Sequence, residues 1–476
     1  MAVTTTTPFY VAGSWEEGGK RLEVRYPYDD RLVGTTSYAT VDQARRARDA
    51  ALAAFQANRR TPAYERRAWL EAIRDGIRAR REEFGELITL ETGKPIRDSL
   101  AEVDRALLTF GTAAEEAVRI NGEVIPLDVA AAGRGRTGIV RRFPIGPILA
   151  ISPFNFPLNL PAHKIAPAIA AGNTVIAKPT SKTPLTLLKL AEAAHEAGLP
   201  HGVLSVMPMD HSVTEMLLQD DAIKMLTFTG SSEVGWGLKA RAGKKRVLME
   251  LGGNAAVIVD CDADIRHAAQ RIVAGGFVFA GQTCIAVQRV LVHERVFDSL
   301  ARDIVELTEK LVLGDPLDPK TDLGPVIDDE AAERITQWLS EAVDAGARVL
   351  TGGQRQGRMI GPTVLADAPP TSRICREEAF APLINLSRFT DFREALQEAN
   401  STAYGLQAGV FTSSLNNALD AFDELEFGGV MVNEVSNWRI DPMPYGGVKD
   451  SGFGREGLRY AIQEMTDPKL LAINRM

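Results

Sequence analysis

A turn of small residues near the middle of the chain presents one thiol, Cys284, between two apolar runs in the stretch 277–289. A nucleophilic thiolate needs an exposed turn, backbone N–H groups that can hold an oxyanion, and no carboxylate beside it. Gly281 allows the backbone to approach closely. Of the three cysteines, only Cys284 has this setting, because Cys261 lies between two aspartates and Cys375 lies beside two arginines. The alternative is that Cys284 is a small buried core residue.

Four further polar sites follow short apolar runs. Asn155 lies in a loop stiffened by prolines, where its amide can donate to a substrate oxygen, and Lys178 ends an apolar run. The turn Gly230-Ser231 leads into a helix whose first N–H groups suit a pyrophosphate. Glu250 precedes two glycines, where burial would raise its pKa towards that of a general base. Each has a plainer interpretation as a turn residue, a solvated lysine or a capping carboxylate.

Composition narrows the class of protein. The 476 residues suffice for two or three domains, and the net charge of −8 argues against nonspecific binding to nucleic acid or anionic membranes. Three cysteines without CxxC or Cys/His spacing argue against a disulfide framework and a zinc site. The threonine-rich start has no apolar core like that of a signal peptide, and no uncharged run of about 18 residues would span a membrane. We expect a cytoplasmic protein.

The order of predicted elements indicates two α/β domains. Helical patterns extend over 41–117, and extended runs at 120–125 and 138–143 predict a projecting hairpin. Short apolar strands then alternate with helices, and the strands are predicted at 148–151, 174–178, 203–206 and 225–228, then at 256–260, 290–293, 348–350, 406–411 and 430–433. This alternation predicts two doubly wound sheets with a cleft between them and ligands at the carboxyl ends of strands. A short extended tail at 469–474 ends the chain.

Seven segments, in order, resemble the motifs of the aldehyde dehydrogenase superfamily, and the resemblance covers nearly the whole chain. They are Pro-Phe-Asn-Phe-Pro at 153–157, Lys-Pro at 178–179, Phe-Thr-Gly-Ser at 228–231, Glu-Leu-Gly-Gly-Asn at 250–254, Gly-Gln-Thr-Cys at 281–284, Glu-Glu-Ala-Phe-Ala-Pro at 377–382 and Pro-Tyr-Gly-Gly-Val-Lys-Asp-Ser-Gly at 444–452. The resemblance implies an aldehyde dehydrogenase-like fold and NAD(P)-dependent oxidation of an aldehyde to the acid.

The resemblance also implies residue roles. Cys284 would attack the aldehyde to give a thiohemiacetal and then a thioester, Asn155 would hold the oxyanion, and Glu250 would activate the hydrolytic water. The residues implied at the NAD or NADP site are Phe154, Lys178, Ser181, Gly230, Ser231, Leu251, Glu378 and Phe380. Because Glu250 is present, hydrolysis is favoured over transfer to coenzyme A.

Domain boundaries follow from the same resemblance. Residues 1–118 and 145–250 would form the dinucleotide-binding domain, and 251–445 the catalytic domain. Segments 119–144 and 446–476 resemble the oligomerisation elements of the family, which implies a homodimer or homotetramer.

One departure from the family pattern bears on the cofactor. Many NAD-preferring members carry a glutamate where this chain has Ser181, and Lys182 follows it. Loss of a carboxylate and gain of a cation would relieve repulsion of a 2′-phosphate, so we expect NADP to be accepted.

Substrate choice depends on two arginines. Arg105 and Arg439 match positions where relatives acting on anionic aldehydes carry arginines, and guanidinium groups suit phosphate and sulfonate. Thr283 stands where several phosphorylated-aldehyde relatives have a further arginine, and His163 can reach the pocket. These residues favour a small hydroxy, sulfo or phosphono aldehyde such as lactaldehyde, sulfolactaldehyde or phosphonoacetaldehyde.

Alternatives stay open at this point. Each arginine could instead form a surface or interdomain salt bridge, which would leave a broad dehydrogenase of neutral aliphatic or aromatic aldehydes. An acylating, coenzyme-A-dependent semialdehyde dehydrogenase and an inactive scaffold of the same fold are the other two. The presence of Cys284, Glu250 and Asn155 argues against the scaffold.

Overall fold

A computed structural model describes residues 6–475 of the chain. The first five residues of the polar start and Met476 of the predicted tail lie outside the described part. The strands up to residue 250 are β1 (Phe9–Val11), β2 (Ser14–Glu16), β3 (Arg21–Arg25), β4 (Leu32–Ser37), β5 (Glu123–Pro126), β6 (Arg136–Pro144), β7 (Pro147–Ile151), β8 (Thr174–Lys178), β9 (Leu204–Val206), β10 (Met225–Thr229) and β11 (Arg246–Glu250).

The remaining strands are β12 (Ala255–Val259), β13 (Val287–His293), β14 (Arg348–Thr351), β15 (Arg355–Gln356), β16 (Met359–Ile360), β17 (Thr363–Ala366), β18 (Leu383–Phe389), β19 (Tyr404–Gly405), β20 (Gln407–Phe411), β21 (Gly429–Val432), β22 (Val448–Lys449), β23 (Gly452–Phe453) and β24 (Thr466–Asn474).

The helices are α1 (Val41–Asn58), α2 (Ala63–Ala79), α3 (Arg81–Thr92), α4 (Ile96–Ala117), α5 (Asn159–Ala171), α6 (Leu185–Glu196), α7 (His211–Gln219), α8 (Ser232–Arg241), α9 (Ile265–Phe277), α10 (Glu294–Thr308), α11 (Asp329–Asp344), α12 (Arg373–Arg376), α13 (Phe392–Asn400), α14 (Leu415–Glu424) and α15 (Leu458–Glu464). Short 3₁₀ turns lie at Ala131–Gly133 and Val278–Gly281. Among the helices that the structure describes, none is long and apolar enough to cross a membrane.

The first large sheet is the predicted doubly wound sheet. Its strand order is β2-β1-β9-β8-β7-β10-β11-β23, and β7 to β11 run parallel. The order reverses at β7, whose neighbours are β8 and β10, so a crevice opens there beyond the carboxyl ends of the strands. Buried runs such as Ile148, Leu149 and Ala150 explain why these strands lie between layers of helices.

The second large sheet has the order β14-β17-β18-β13-β12-β20-β21, and β14 alone is antiparallel to its neighbour. All five strands predicted for this half are present within a residue or a few of their expected bounds. Two central strands, β17 and β18, were not predicted. The segment from Glu377 to Pro382 leads directly into β18. Its motif was recognised, but the buried strand that follows it was not.

The predicted hairpin forms as β5 and β6, and the predicted tail extends into the nine-residue strand β24, which pairs with β6 along its whole length. Residues 446–465, which were expected to belong to an oligomerisation element, instead pack against the first sheet and its helices. There β23 pairs with β11 of the first sheet and α15 packs against α5. The domain boundaries themselves stay a prediction.

Candidate active site

A cleft of about 860 Å³ is lined by residues of both large sheets. The first sheet presents the carboxyl ends of its strands, whereas the second presents the segments that precede β12, β13 and β18. Twelve of the residues singled out from the sequence line it: Arg105, Phe154, Asn155, Lys178, Gly230, Ser231, Leu251, Thr283, Cys284, Glu378, Phe380 and Arg439. Glu250, His163 and Ser181 do not border the cavity.

The turn that carries the thiol has an unusual backbone. Phe279, Ala280 and Gly281 are consecutive left-handed residues, with φ of 48°, 52° and 68°. A Cβ on Gly281 would collide with the backbone carbonyl of Ala381, so this close approach requires glycine. Gln282 anchors the turn, because its Oε1 accepts a hydrogen bond from the Ile327 N–H at 2.9 Å. The expectation of a tight backbone approach is confirmed.

Cys284 itself is more enclosed than the sequence suggested. Burial raises the pKa of its thiol to about 12, although a hydrogen bond to Tyr445 opposes that rise. Its Sγ lies 3.1 Å from the Tyr445 hydroxyl. The turn is thus less exposed than expected, since Cys284 is half-buried and lines the cleft. Cys261 is exposed and Cys375 is buried, both away from the cleft.

The Asn155 amide is held beside the thiol turn. Its Nδ2 donates to the Gln282 carbonyl at 3.0 Å, which leaves the second N–H of the amide for another acceptor. Buried Glu102 fixes this loop, because its Oε1 accepts hydrogen bonds from the backbone N–H groups of Leu158 and Asn159. Lys94 in turn donates to Glu102 Oε2 at 2.5 Å. Neither Glu102 nor Lys94 carried a sequence signal.

Glu250 ends β11 and is 2% exposed. Both of its carboxylate oxygens lack a hydrogen-bond partner among the described residues. Burial, followed by the charge of Glu456, raises its pKa well above the usual value, and Arg439 and Lys164 oppose the rise. The expected direction of the pKa shift is confirmed. A Cβ on Gly446 would lie 2.9 Å from Glu250 Oε1, so the backbone there passes close to the carboxylate.

A buried ion pair lies next to Glu250. Lys164 Nζ lies 2.9 Å from Glu456 Oε1 and donates also to Thr229 Oγ1 at 2.6 Å. Burial alone would raise the pKa of Glu456, but Lys164 and neighbouring cations hold it at about 2. Glu456 is therefore the charged carboxylate of this pair of acids, and Glu250 is the one that readily holds a proton.

The far part of the cleft has groups that fit a dinucleotide. Lys178 ends β8, and α8 begins after Ser231 with its N–H groups at the reversal of strand order. The N–H of Gly253 donates to Glu378 Oε1 at 3.1 Å, and burial raises the pKa of Glu378 to about 7. Phe154 and Phe380 pack edge to face at 5.9 Å. Cation, carboxylate, helix N-terminus and aromatic faces match the parts of such a cofactor.

Ser181 and Lys182 differ from expectation. The neighbouring Thr180 lines the cleft together with His211 and Thr214, whereas Ser181 does not. Lys182 forms an ion pair with Asp328. Its charge is thus already compensated, so Lys182 attracts a 2′-phosphate less strongly than an unpaired lysine would. The absence of a carboxylate at Ser181 is unaffected by this pairing.

Asp441 holds the Arg105 side chain, and no sequence pattern indicated it. The carboxylate is 1% exposed and accepts two bonds from Arg105, one from Asn159 Nδ2 at 3.1 Å, and pairs with His163 Nε2 at 2.8 Å. Burial alone would raise its pKa, but His163 and Arg105 hold it well below its usual range. Arg105 and Asp441 are 336 positions apart, so only the fold brings them together.

Arg439 is buried beside the thiol. Its guanidinium carbon lies 3.6 Å from the centre of the Tyr445 ring, and its Nη2 lies 3.3 Å from His163 Nε2. Glu456 Oε2 is 3.6 Å from the same Nη2. Burial and Arg439 lower the pKa of His163. Both predicted arginines are therefore salt-bridged and also line the cleft, which combines the two interpretations that the sequence left open.

One cluster of possible metal ligands lies outside the cleft. Ligand atoms of Asp260, Cys261 and His293 come within 4.8 Å of one another. Asp260 already accepts from the Cys261 N–H and from Asn417, and His293 Nδ1 accepts from the Arg295 N–H. Two of the three groups are thus engaged by the protein, and we assign no ion to them.

The chain is similar to known proteins over nearly its whole length. Residues 15–471 match the aldehyde dehydrogenase family, and the chain belongs to that family. It is 43% identical over 466 residues to the 3-sulfolactaldehyde dehydrogenase of Priestia megaterium, covering 98% of this chain and 97% of the relative. The resemblance drawn from the seven segments is confirmed.

Two solved structures have the same fold. Aldehyde dehydrogenase 21 of Physcomitrella patens, in complex with its reaction product succinate, is 45% identical with a TM-score of 0.97, covering 100% of this chain and 99% of that one. The NADP-dependent glyceraldehyde-3-phosphate dehydrogenase of Bacillus halodurans, complexed with NADP, is 35% identical with a TM-score of 0.97, covering 99% and 100%. The predicted aldehyde dehydrogenase fold is confirmed.

Proposed function

We propose that this protein oxidises a small anionic or hydroxy aldehyde to its carboxylic acid with NAD or NADP, through Cys284. The observation that carries this proposal is the grouping of the Cys284 thiol, the Asn155 amide and two arginines in one cleft. The Cys284 thiolate attacks the carbonyl carbon, and the free N–H of Asn155 donates to the oxygen that becomes negative. When bound, the dinucleotide supplies the acceptor for the hydride that leaves this carbon.

Hydrolysis of the resulting thioester falls to Glu250. Its raised pKa and unpaired oxygens suit a carboxylate that takes a proton from water as the water adds to the acyl carbon. The Cys284 sulfur leaves as thiolate, and the acid is released. Transfer to coenzyme A is less well supported, because a buried base that activates water competes with an external thiol.

The dinucleotide would be held by residues along the first sheet. Lys178 and Glu378 suit ribose hydroxyls, and the first N–H groups of α8, beside Gly230 and Ser231, suit the pyrophosphate. Leu251, Phe154 and Phe380 would flank the nicotinamide. Both NAD and NADP are supported, since no acidic side chain stands at 181 and one of the solved relatives is complexed with NADP.

An anionic substrate is supported by the arginines and by the relatives. Arg105 is about one-third exposed in the cleft and Arg439 is buried in its wall. The names of the relatives refer to a sulfonate-bearing aldehyde and a phosphate-bearing one, and the third relative holds the dicarboxylate succinate. A sulfonate, carboxylate or phosphate two or three carbons from the carbonyl is therefore proposed, with Thr283 beside the reacting carbon.

A neutral-aldehyde dehydrogenase is the second candidate. It is favoured by the pairing of Arg105 with Asp441, and by the proximity of Arg439 to Glu456, since both reduce the net positive charge of the cleft. Formation of NADH and NADPH with sulfolactaldehyde, succinate semialdehyde and propanal distinguishes the two. The Cys284→Ala variant should bind NADP and turn over none of the aldehydes, and turnover by this variant would refute the thiol mechanism.

Assembly into a homodimer or homotetramer is also proposed. The sheet of β5, β6 and β24 leaves apolar side chains in solvent, with Val124 75% and Leu471 57% exposed. Exposed apolar strands tend to be covered by another chain. Light scattering after size-exclusion chromatography would report the mass. The cytoplasmic location expected from the sequence stays a prediction.

A further inference from the structure

The phenol of Tyr445 has a position that the proposed chemistry does not use. Its side chain is 2% exposed, and its hydroxyl lies 3.1 Å from Cys284 Sγ. In the part of the chain that the structure describes, Sγ is the only hydrogen-bond partner of this hydroxyl. A buried phenol whose hydroxyl bonds only to the nucleophile is placed to influence the charge of that nucleophile.

We propose that Tyr445 is a catalytic residue that donates a hydrogen bond from its hydroxyl to the Cys284 thiolate and thereby stabilises the charged nucleophile. The inference rests on the proposed function, because it takes Cys284 to be the nucleophile. Tyr445 lies in the last of the seven family-like segments, at 444–452, but the sequence pattern gave it no role in the reaction.

The direction of the bond follows from the protons available. A thiolate has no hydrogen to donate, so once Cys284 is ionised the phenol must be the donor. Burial raises the pKa of Tyr445 well above its usual value, so the phenol keeps its hydrogen. The thiol proton leaves to water, and Tyr445 neither gains nor loses a proton in the step.

The groups around Sγ show why such a donor is needed. Burial works against ionisation of the thiol, and the charges of Glu378 and Glu250 add to that effect. Against them stand the Tyr445 hydrogen bond and the charge of Arg439. Arg439 lies 3.6 Å over the Tyr445 ring, where a cation fixes the ring and makes the hydroxyl a better donor.

The test measures thiolate formation without any aldehyde or dinucleotide. The rate of alkylation of Cys284 by iodoacetamide is followed against pH, with peptide mass spectrometry to separate the three cysteines. Tyr445→Phe should lower this rate about tenfold at a fixed pH below the midpoint, which corresponds to a rise of about one pH unit in the apparent pKa of the thiol.

Tyr26→Phe is the matched control. Tyr26 is fully buried and its hydroxyl donates to Asp315 at 2.6 Å, outside the cleft, so its loss should leave the alkylation profile of Cys284 unchanged. An unchanged profile in Tyr445→Phe, or the same shift in both variants, would overturn the inference.

Should Tyr445→Phe fail to fold, 3-fluorotyrosine at position 445 keeps the ring and makes the hydroxyl more acidic. It should raise the alkylation rate, and an equal or lower rate contradicts the inference. Failure here is distinct from failure of the proposed function, which Cys284→Ala turnover decides by itself.

Discussion

Asp441 grips the guanidinium of Arg105 at two points, with its Oδ2 3.2 Å from Nε and its Oδ1 2.8 Å from Nη2. Arg105 comes from α4 and Asp441 from the loop after β21, so this pair fixes the orientation of a cation on one wall of the cleft. Nη1 of Arg105 forms no hydrogen bond with the residues that the structure describes, and we expect it to meet an anion of the substrate.

Replacement of Arg105 therefore tests the anionic-substrate proposal. Arg105→Met should raise the KM for an anionic aldehyde by roughly 100-fold, because a partly desolvated charge pair with the substrate is lost. The KM for propanal should change little. Steady-state kinetics with both aldehydes measure the difference.

Arg97→Met serves as the control on the same helix. Arg97 pairs with Asp322 at 2.5 Å and does not line the cleft, so its loss removes one charge without affecting the substrate. Equal rises in KM for charged and neutral aldehydes in Arg105→Met would show that Arg105 has only a structural role.

Glu250 should impose a pH dependence on hydrolysis. Since its pKa is raised above the usual value, the carboxyl is protonated and inactive as a base at low pH, and hydrolysis should speed up as the pH rises through that raised pKa. Glu250→Gln should keep a burst of reduced cofactor, but slow steady turnover about 100-fold and flatten the profile.

Stopped-flow absorbance resolves the burst from the steady rate. Glu426→Gln, which removes an exposed carboxylate paired with Lys449, should behave as the unaltered protein does. A pH profile that survives in Glu250→Gln would assign the base to another group.

Position 181 should influence the choice between NAD and NADP. Ser181→Glu is expected to lower kcat/KM for NADP relative to NAD about tenfold, because a carboxylate near the 2′-phosphate repels it. Ser181→Gln has the same reach without the charge and should leave the ratio nearly unchanged.

Lys182→Met tests whether the charge of Lys182, apart from the missing carboxylate at position 181, favours NADP. Its ammonium is already paired with Asp328, so the NADP-to-NAD ratio should stay within about twofold. A large loss of NADP use in Lys182→Met would mean that the pair with Asp328 opens when the cofactor binds.

The buried pair of Lys164 and Glu456 should matter for stability. Lys164→Met leaves a buried charge without its partner and should lower the free energy of unfolding by about 3–5 kcal/mol. Lys310→Met breaks an exposed pair with Glu306, which solvent screens, and should change the stability far less. Urea unfolding followed by tryptophan fluorescence measures both variants. Similar losses of stability would contradict the distinction between the buried and the exposed ion pair.

The same pair has a pH signature. The folded pKa of Glu456 is about 2, below its usual value, so the stability that it contributes is complete above about pH 4.3 and is lost as the pH falls towards 2. Glu456→Gln should weaken this part of the acid dependence.

Much of the fold could be read from local patterns. The strands from β7 to β10 were predicted because short apolar runs alternate with helices. The strand β18 was missed, since a buried run that follows an irregular segment has no alternation to mark it. The break at Arg80 between α2 and α3 was missed because no proline or glycine marks it.

The residues of the site were likewise predicted only in part. Cys284, Asn155 and Glu250 stand in short contiguous segments, so their types and neighbours could identify them. Asp441 and the partial burial of the thiol could not be foreseen, because they depend on contacts between residues 336 and 161 positions apart. The compensation of Lys182 by Asp328 was hidden for the same reason.

The crowding at Gly281 and Gly446 has a consequence for how this enzyme can vary. A side chain at Gly281 would collide with the Ala381 carbonyl. A side chain at Gly446 would press against the Glu250 carboxylate. In a saturation library screened for growth on an aldehyde, substitutions at these two glycines should be tolerated as poorly as substitutions of Cys284. Their intolerance would be steric, and directed evolution towards new aldehydes would have to begin from the arginine side of the cleft.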